Sequence, residues 1–172
     1  MERVTSPLVA VTASVGETRR LAGALAPVCT PGDVILLAGD LGAGKTAFAQ
    51  GFGAGLGIVE SITSPTFTLV RQYPVTGHAV RTLLHADVYR LGHLREIVDL
   101  GLPELVEDGG VALVEWGDVA EPVLGEGSLT VRLVPDGDDD QRRTVTVDPA
   151  GGTWPARWDA LASVLSPWLV AA

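Results

Sequence analysis

The stretch LLAGDLGAGKTAFAQGFGAGLG, residues 36–57, contains the residues that decide the fold. The 172-residue chain has 12 lysine and arginine residues in total, and Lys45 is its only lysine. Gly39 is followed by four further residues and then by Gly-Lys-Thr at positions 44 to 46, which is the pattern G-x-x-x-x-G-K-[ST]. This pattern predicts a loop that wraps around phosphate groups, if a strand precedes it and a helix follows it.

The segments on both sides of the loop meet that condition. A turn at PGD leads into the continuous apolar run Val34–Ala38, which is typical of a strand buried on both faces of a parallel sheet. Residues 45 to about 56 are predicted to form a helix. The loop would therefore end at a helix N-terminus, where unpaired N–H groups and the helix dipole favour an anion.

Each residue type of the motif suits phosphate chemistry. Glycines allow the loop to curl with its N–H groups pointing inward. A lysine ammonium is a compact charge on a slim stem that can reach the β- and γ-phosphates, whereas a guanidinium is broader and needs a different donor geometry. Thr46 offers a hydroxyl to the Mg²⁺ that bridges those phosphates. The predicted nucleotide contacts in this segment are Gly39, Asp40, Leu41, Gly42, Ala43, Gly44, Lys45, Thr46 and Ala47.

A hydrolytic site also needs an acidic group for the metal and a group that orients the attacking water. The strand TLLHAD ends in Asp87 and the strand VALVEW carries Glu115, so both carboxylates would lie on the rim of a parallel sheet that holds the phosphate loop. We assign Asp87 to Mg²⁺, directly or through water, and Glu115 to polarising the water. Glu115 is also a candidate Mg²⁺ ligand beside Thr46, and the predicted catalytic residues are Lys45, Asp87 and Glu115. For either carboxylate, the alternative is a helix cap or an ion pair with arginine.

Several neighbouring positions carry weaker signals. The segment TSPTF lies where nucleotide-responsive loops occur, so Ser64 or Thr66 could sense the γ-phosphate, although an ordinary turn is equally compatible. His85 alternates with Asp87 along an extended strand and shares its face, but a lone histidine is more typical of a structural group. Trp116 directly follows the second carboxylate, and shielding the site, contacting a partner and core packing remain open for it. Thr66 and Trp116 complete the predicted nucleotide contacts.

The rest of the chain predicts one α/β domain over residues 1–172. A helix from residue 15 to about 26 begins with the capping-box spacing of Ser14 and Glu17. An extended segment at residues 68–73 is expected to pair with the strand that ends near Asp87, and SLTVRLV is expected to pair with RRTVTV across PDGDDDQ. Short helical pieces broken at Pro103 and a terminal helix with Trp154 and Trp158 complete the pattern. The expected sheet is mixed but mainly parallel, flanked by helices, with an antiparallel portion.

Composition limits the classes of partner. The formal net charge is -9, which does not provide the basic face that direct nucleic-acid binding usually needs. Neither a membrane span nor a signal peptide is visible, and Cys29 is the single cysteine, so a cytoplasmic protein without an internal disulfide is expected. Any link to RNA would run through a protein partner.

The segments GDLGAGKT, SPTFTLV, HADVYRL, LGLPELV and VEWGD, in this order and spacing, resemble TsaE, a family of small bacterial P-loop ATPases required for threonylcarbamoyladenosine modification of tRNA. The resemblance covers about residues 11–134. It implies a single P-loop NTPase domain that binds ATP or ADP with Mg²⁺ and hydrolyses ATP in complex with the TsaD and TsaB proteins. It also implies that Thr66 belongs to a nucleotide-responsive loop and that Glu115 and Trp116 form a pair important for activity.

Two other functions share the phosphate loop. A small-molecule or nucleotide kinase would add an arginine-bearing lid, for which Arg90 and Arg95 are candidates, although no long lid insertion is visible. A non-hydrolysing switch would bind ATP only in order to dock a partner. A GTPase is disfavoured because the chain contains no asparagine for the N-K-x-D motif.

Overall fold

The computed structural model describes residues 5–65 and 69–171. Its strands are β1 (Leu8–Thr12), β2 (Val34–Ala38), β3 (Val70–Pro74), β4 (Thr82–Asp87), β5 (Gly110–Glu115), β6 (Leu129–Asp136) and β7 (Asp139–Pro149). Its helices are α1 (Val15–Leu25), α2 (Lys45–Gly55), α3 (Leu94–Asp99), α4 (Leu102–Glu107), α5 (Gly117–Leu124) and α6 (Trp154–Leu165), with a 3-10 turn at Ala26–Val28. All seven strands belong to one sheet.

The strand order is β1-β7-β6-β2-β5-β4-β3. The four central strands, β6, β2, β5 and β4, run parallel to one another. The hairpin partners β3 and β7 and the edge strand β1 add the antiparallel portion. The predicted mixed sheet with a parallel centre and flanking helices is confirmed. Parallel strands end at the same edge, so β2, β4 and β5 bring their carboxyl ends together.

Helices cover both faces of this sheet. On one face α1, α2 and α6 bury apolar side chains that include Leu21, Phe48 and Leu161. On the other face α3, α4 and α5 bury Ile97, Leu102 and Ala120. These two layers explain why β5 is buried at every position and reads as a continuous apolar run.

The crossing of α1 and α2 depends on glycine. A Cβ at Gly51 would overlap the carbonyl oxygen of Arg19, and a Cβ at Gly55 would overlap that of Gly23. The two helix backbones therefore touch directly. This contact fixes α2, and with it the loop that precedes α2, against the rest of the layer.

Most predicted elements are confirmed, with small shifts at their ends. Ser14 caps α1 by accepting a hydrogen bond from the Glu17 N–H, and the helix gives way to the 3-10 turn at residue 26. Strand β3 begins at Val70, and residue 68 of its predicted range lies outside the described residues. Both predicted hairpins form.

The predicted break at Pro103 is wrong. The helical pieces separate at Gly101, which takes a left-handed conformation with φ 68°, while Pro103 lies in the first turn of α4. Proline fits a first helical turn because the N–H that it lacks has no helical partner there. Strand β1 and helix α5 were not predicted.

Two further observations concern the whole described chain. Among the residues that the structure describes, none of the helices has the length and apolar character that crossing a membrane requires. Cys29 is buried, and burial raises the pKa of its thiol well above the ordinary value. It is therefore packed as a small apolar side chain, as expected from the sequence.

Candidate nucleotide site

The phosphate loop spans the gap between β2 and α2. Gly39 has φ 151°, and a Cβ there would lie 2.7 Å from the Leu133 carbonyl oxygen and 2.9 Å from the Ala43 Cβ. Gly44 has φ 108° and forms the N-cap of α2. Glycine is needed at the first position both for its backbone angle and because β6 lies so close.

Lys45 turns back over this loop. Its Nζ donates hydrogen bonds to the carbonyl oxygens of Gly39 at 2.6 Å and Asp40 at 3.0 Å, and it lies 3.9 Å from the centre of the Trp116 ring. The residue is only 6% exposed. Burial lowers the pKa of the ammonium, while nearby carboxylates, Glu115 foremost, act in the opposite direction. The position thus concentrates positive charge at the end of β2.

A cavity of about 380 Å³ opens beside this lysine. It is lined by both the loop and the acidic strand ends. The predicted site residues on its wall are Leu41, Gly42, Gly44, Lys45, Thr46, Ala47, Asp87, Glu115 and Trp116. Gly39, Asp40 and Ala43 complete the loop without lining the cavity, and Thr66 lies outside the described residues.

Asp87 is held at the end of β4 by two donors. Ser64 Oγ donates to one carboxylate oxygen at 3.2 Å, and the Tyr89 N–H donates to the other at 2.9 Å. Asp87 also lies beside Glu115 in the register of β4 and β5. The sheet therefore places the two predicted carboxylates on adjacent strands at one edge.

Glu115 is paired with His85 beneath the cavity. The His85 Nε2 lies 2.7 Å from Glu115 Oε2, and the two residues are 0% and 3% exposed. The structure describes no hydrogen-bond partner for the buried Nδ1 of this histidine. We assign the proton to Nε2, because that tautomer satisfies the carboxylate and leaves only a lone pair unpaired. His85 is thus a buried structural residue that holds the Glu115 carboxylate in place.

Trp116 combines two of the three roles left open by the sequence. Its backbone is left-handed, with φ 60°, at the point where β5 turns into α5. The next residue must be small, since a Cβ on Gly117 would lie 2.5 Å from the Leu36 Cβ. The ring packs partly against the core and also contacts Lys45 and Tyr89, whose ring centre is 4.7 Å away. Trp116 therefore forms a wall of the site while contributing to packing.

The donor set fits Mg²⁺ that arrives with phosphates. Among the described residues, no group of three or more His, Cys, Asp or Glu side chains could hold a metal ion by itself. The cavity instead offers the carboxylates of Asp87 and Glu115 and the hydroxyl of Thr46. Mg²⁺ commonly takes one or two carboxylates and completes its shell with phosphate oxygens and water.

Sequence reasoning missed two contributors. Tyr89 lines the cavity just after β4, beside Arg90, which the sequence offered only as a candidate lid arginine of a kinase. Arg143 on β7 donates hydrogen bonds to the loop carbonyls of Gly42 and Ala43. Only the pairing of β7 with β6 brings that arginine to the loop, so spacing along the chain could not have identified it.

Comparison with known proteins identifies the family. The profile described as "Threonylcarbamoyl adenosine biosynthesis protein TsaE" matches residues 12–145. The tRNA threonylcarbamoyladenosine biosynthesis protein TsaE of Bacillus subtilis is 44% identical over 130 residues, which cover 76% of this chain and 79% of the relative.

The chain belongs to the TsaE family.

Other TsaE relatives agree. The protein of Treponema pallidum with the same name is 42% identical over 123 residues, covering 72% of this chain and 88% of the relative. The crystal structure of Bacillus subtilis YdiB superposes with a TM-score of 0.72 at 36% identity, covering 96% of this chain and 98% of that one. The TsaE resemblance and the fold expected from it are confirmed.

Proposed function

We propose that this chain binds and hydrolyses Mg-ATP in support of tRNA threonylcarbamoyladenosine biosynthesis, acting with the TsaD and TsaB proteins and not transferring the threonylcarbamoyl group itself. One observation carries the proposal: a single cavity is lined by the phosphate loop with Lys45 and Thr46 and by the carboxylates of Asp87 and Glu115. These are the groups that phosphoryl transfer to water requires.

The loop side would hold the phosphates. Backbone N–H groups at the start of α2 and the ammonium of Lys45 offer donors and positive charge to the β- and γ-phosphates. Thr46 is exposed at the cavity wall, so its hydroxyl is open to a metal ion. Bound Mg²⁺ would neutralise charge on the β- and γ-phosphate oxygens.

The carboxylates on the other side of the cavity would orient the attacking water and hold the metal ion. His85 engages one oxygen of Glu115, which leaves the other oxygen to accept a hydrogen bond from a water in the cavity. Glu115 would accept a proton from that water while the oxygen of the water bonds to the γ-phosphorus. The bond between the γ-phosphorus and the β,γ-bridging oxygen would break, giving ADP and phosphate. Asp87 would be kept in place for the metal by Ser64 and the Tyr89 N–H.

The charge of the chain supports an indirect connection to tRNA. With a formal net charge of -9, the protein repels phosphate backbones unless a basic patch or partner intervenes. The proposal therefore places tRNA on the partner proteins.

The test is phosphate release from Mg-ATP with and without purified TsaD and TsaB. Lys45→Ala serves as the blank, and Arg20→Ala, an exposed change on α1, serves as the matched loss of one positive charge. We expect a slow rate that rises sharply with the pair, is unchanged by Arg20→Ala and is lost in Lys45→Ala. Partner completion of such sites is worth several orders of magnitude in well-studied hydrolases.

Three results would overturn parts of the proposal. Equal rates in wild type and Lys45→Ala would remove the assignment of hydrolysis to this cavity. If the pair neither raised the rate nor co-eluted with the chain in the presence of ATP, the assignment of TsaD and TsaB as partners would fail. Transfer of the phosphate to an added small molecule, in place of water, would identify a kinase.

A further inference from the structure

Arg143 joins the phosphate loop to the β6–β7 hairpin. Its Nε donates to the Ala43 carbonyl at 2.8 Å and its Nη2 to the Gly42 carbonyl at 3.3 Å. Its Nη1 donates to the carbonyls of Asp140 at 2.6 Å and Arg142 at 2.9 Å on its own hairpin. All hydrogen bonds that the described residues give this guanidinium thus end on backbone oxygens, two in the phosphate loop and two at the start of β7.

We propose that Arg143 is a positioning residue that holds the phosphate loop in its nucleotide-binding conformation. The inference rests on the proposed binding of ATP at this loop. Strand β7 would thus support the phosphate loop through Arg143, although β7 contributes no residue to the cavity wall.

The geometry of the peptide bond explains how a donor outside the loop can act inside it. In a trans peptide the C=O of one residue and the N–H of the next point in opposite directions. Because Arg143 draws the Ala43 carbonyl toward the hairpin, the Gly44 N–H is turned the other way, and Gly44 lines the cavity. The bond to the Gly42 carbonyl fixes the preceding peptide, whose Ala43 N–H closes the turn onto the Asp40 carbonyl at 3.0 Å.

Two successive peptide planes are therefore set by one rigid group. The five N–H donors of a guanidinium are fixed in a planar fork, whereas a lysine ammonium at the same place has one donor centre. Arg143 also lies against Gly44, where a Cβ would come 3.8 Å from its Nε. Lysine would keep the charge at position 143 but would not hold both planes.

The chain offers a matched control in the adjacent residue. Arg142 lies on the same strand, and its Nε is 3.5 Å from Asp136 in an ion pair whose side chains are 51% and 39% exposed. Its partner belongs to the hairpin and not to the phosphate loop. Arg142→Ala therefore removes the same charge from the same strand without touching the loop.

The first experiment is calorimetric titration of Mg-ATP into wild type, Arg143→Ala, Arg143→Lys and Arg142→Ala. Net contributions of about 1.5–3 kcal/mol for hydrogen bonds to a charged group convert to a loss of affinity of roughly tenfold to a hundredfold for Arg143→Ala. Arg143→Lys should remain several-fold weaker than wild type, and Arg142→Ala should stay within about twofold. Equal affinities for Arg143→Ala and Arg142→Ala, or full recovery in Arg143→Lys, would overturn the proposal.

Amide hydrogen exchange of the nucleotide-free proteins provides a second readout that does not need ATP. In Arg143→Lys, the peptide covering residues 39–46 should exchange faster than in wild type and in Arg142→Ala. Faster exchange confined to the hairpin would show that Arg143 merely stabilises its own loop, and would contradict the inference. If wild type fails to bind Mg-ATP, the proposed function fails, while the exchange comparison still decides whether Arg143 positions the loop.

Discussion

The phosphate loop and the acidic edge line one cavity but are built in opposite ways. The loop is one contiguous stretch, and apart from Lys45 and Thr46 it is proposed to act through backbone groups. The acidic edge consists of His85, Asp87 and Glu115; it is assembled from two parallel strands and is proposed to act through side chains. Backbone geometry should therefore limit binding at the loop, while side-chain chemistry should limit hydrolysis at the edge.

The largest effect on nucleotide binding is expected from adding one methyl group at Gly39. Gly39→Ala would place a Cβ 2.7 Å from the Leu133 carbonyl oxygen at a backbone angle, φ 151°, that alanine avoids. We expect Mg-ATP affinity to fall by more than about a hundredfold, because the loop must move away from the β6 backbone. Calorimetric titration measures this effect.

Gly77→Ala is the control for backbone strain alone. Gly77 has φ 73°, and a Cβ there meets nothing within 4 Å. It should cost roughly 1 kcal/mol of folding stability and leave ATP affinity unchanged. Near-normal ATP binding by Gly39→Ala would show that the loop tolerates a different backbone path and would weaken the contrast between the two regions.

At the acidic edge, an isosteric change should separate hydrolysis from binding. Glu115→Gln keeps the shape of the side chain and an oxygen for His85 but removes the ability to take a proton. We expect the hydrolysis rate to fall by about a hundredfold to ten-thousandfold while ATP affinity changes by only a few-fold. Glu121→Gln, an exposed change on α5, should leave both unchanged. If Glu115→Gln lost ATP affinity and hydrolysis rate to the same extent, Glu115 would not act in hydrolysis separately from ATP binding.

The smallest effect is expected at the residue that supports Glu115. The Nε2 of His85 makes the contact, so glutamine, whose amide nitrogen reaches about as far, should preserve it better than asparagine. His85→Asn should slow hydrolysis about tenfold and destabilise the fold by about 1–3 kcal/mol, because a buried carboxylate loses its donor. Hydrolysis assays and urea unfolding measure the two effects. Identical behaviour of the glutamine and asparagine variants would exclude this positioning role.

The same contrast explains what could be predicted from the sequence. The phosphate loop is a local pattern, so Lys45 and Thr46 could be assigned from spacing alone. Asp87 and Glu115 could be placed at one edge because each ends an apolar run. The contact of Glu115 with His85 depends on how β4 and β5 align, and the contact of Arg143 with the loop depends on the pairing of β7, so neither is visible in local spacing.

Elements were missed where local signals were weak or conflicting. Strand β1 is a short edge strand whose pairing with β7 spans most of the chain. Helix α5 begins at Gly117 and contains Pro122, both unfavourable helix residues, and tertiary packing against β2 overrides that preference. The sequence predicts a helix break at Pro103, but Gly101 provides the left-handed turn that separates α3 from α4.

The division between the phosphate loop and the acidic edge is tested most simply by the affinity of ATP, measured with excess Mg²⁺ and again with EDTA, in wild type and in Asp87→Asn. The loop is assigned to the phosphates and the acidic edge to the metal. We therefore predict that Mg²⁺ tightens ATP binding about tenfold or more in wild type, and that Asp87→Asn loses this gain while keeping the wild-type affinity in EDTA. If Mg²⁺ tightened ATP binding equally in both proteins, or if Asp87→Asn lost the same affinity with and without the metal, Asp87 would not be the metal-site carboxylate.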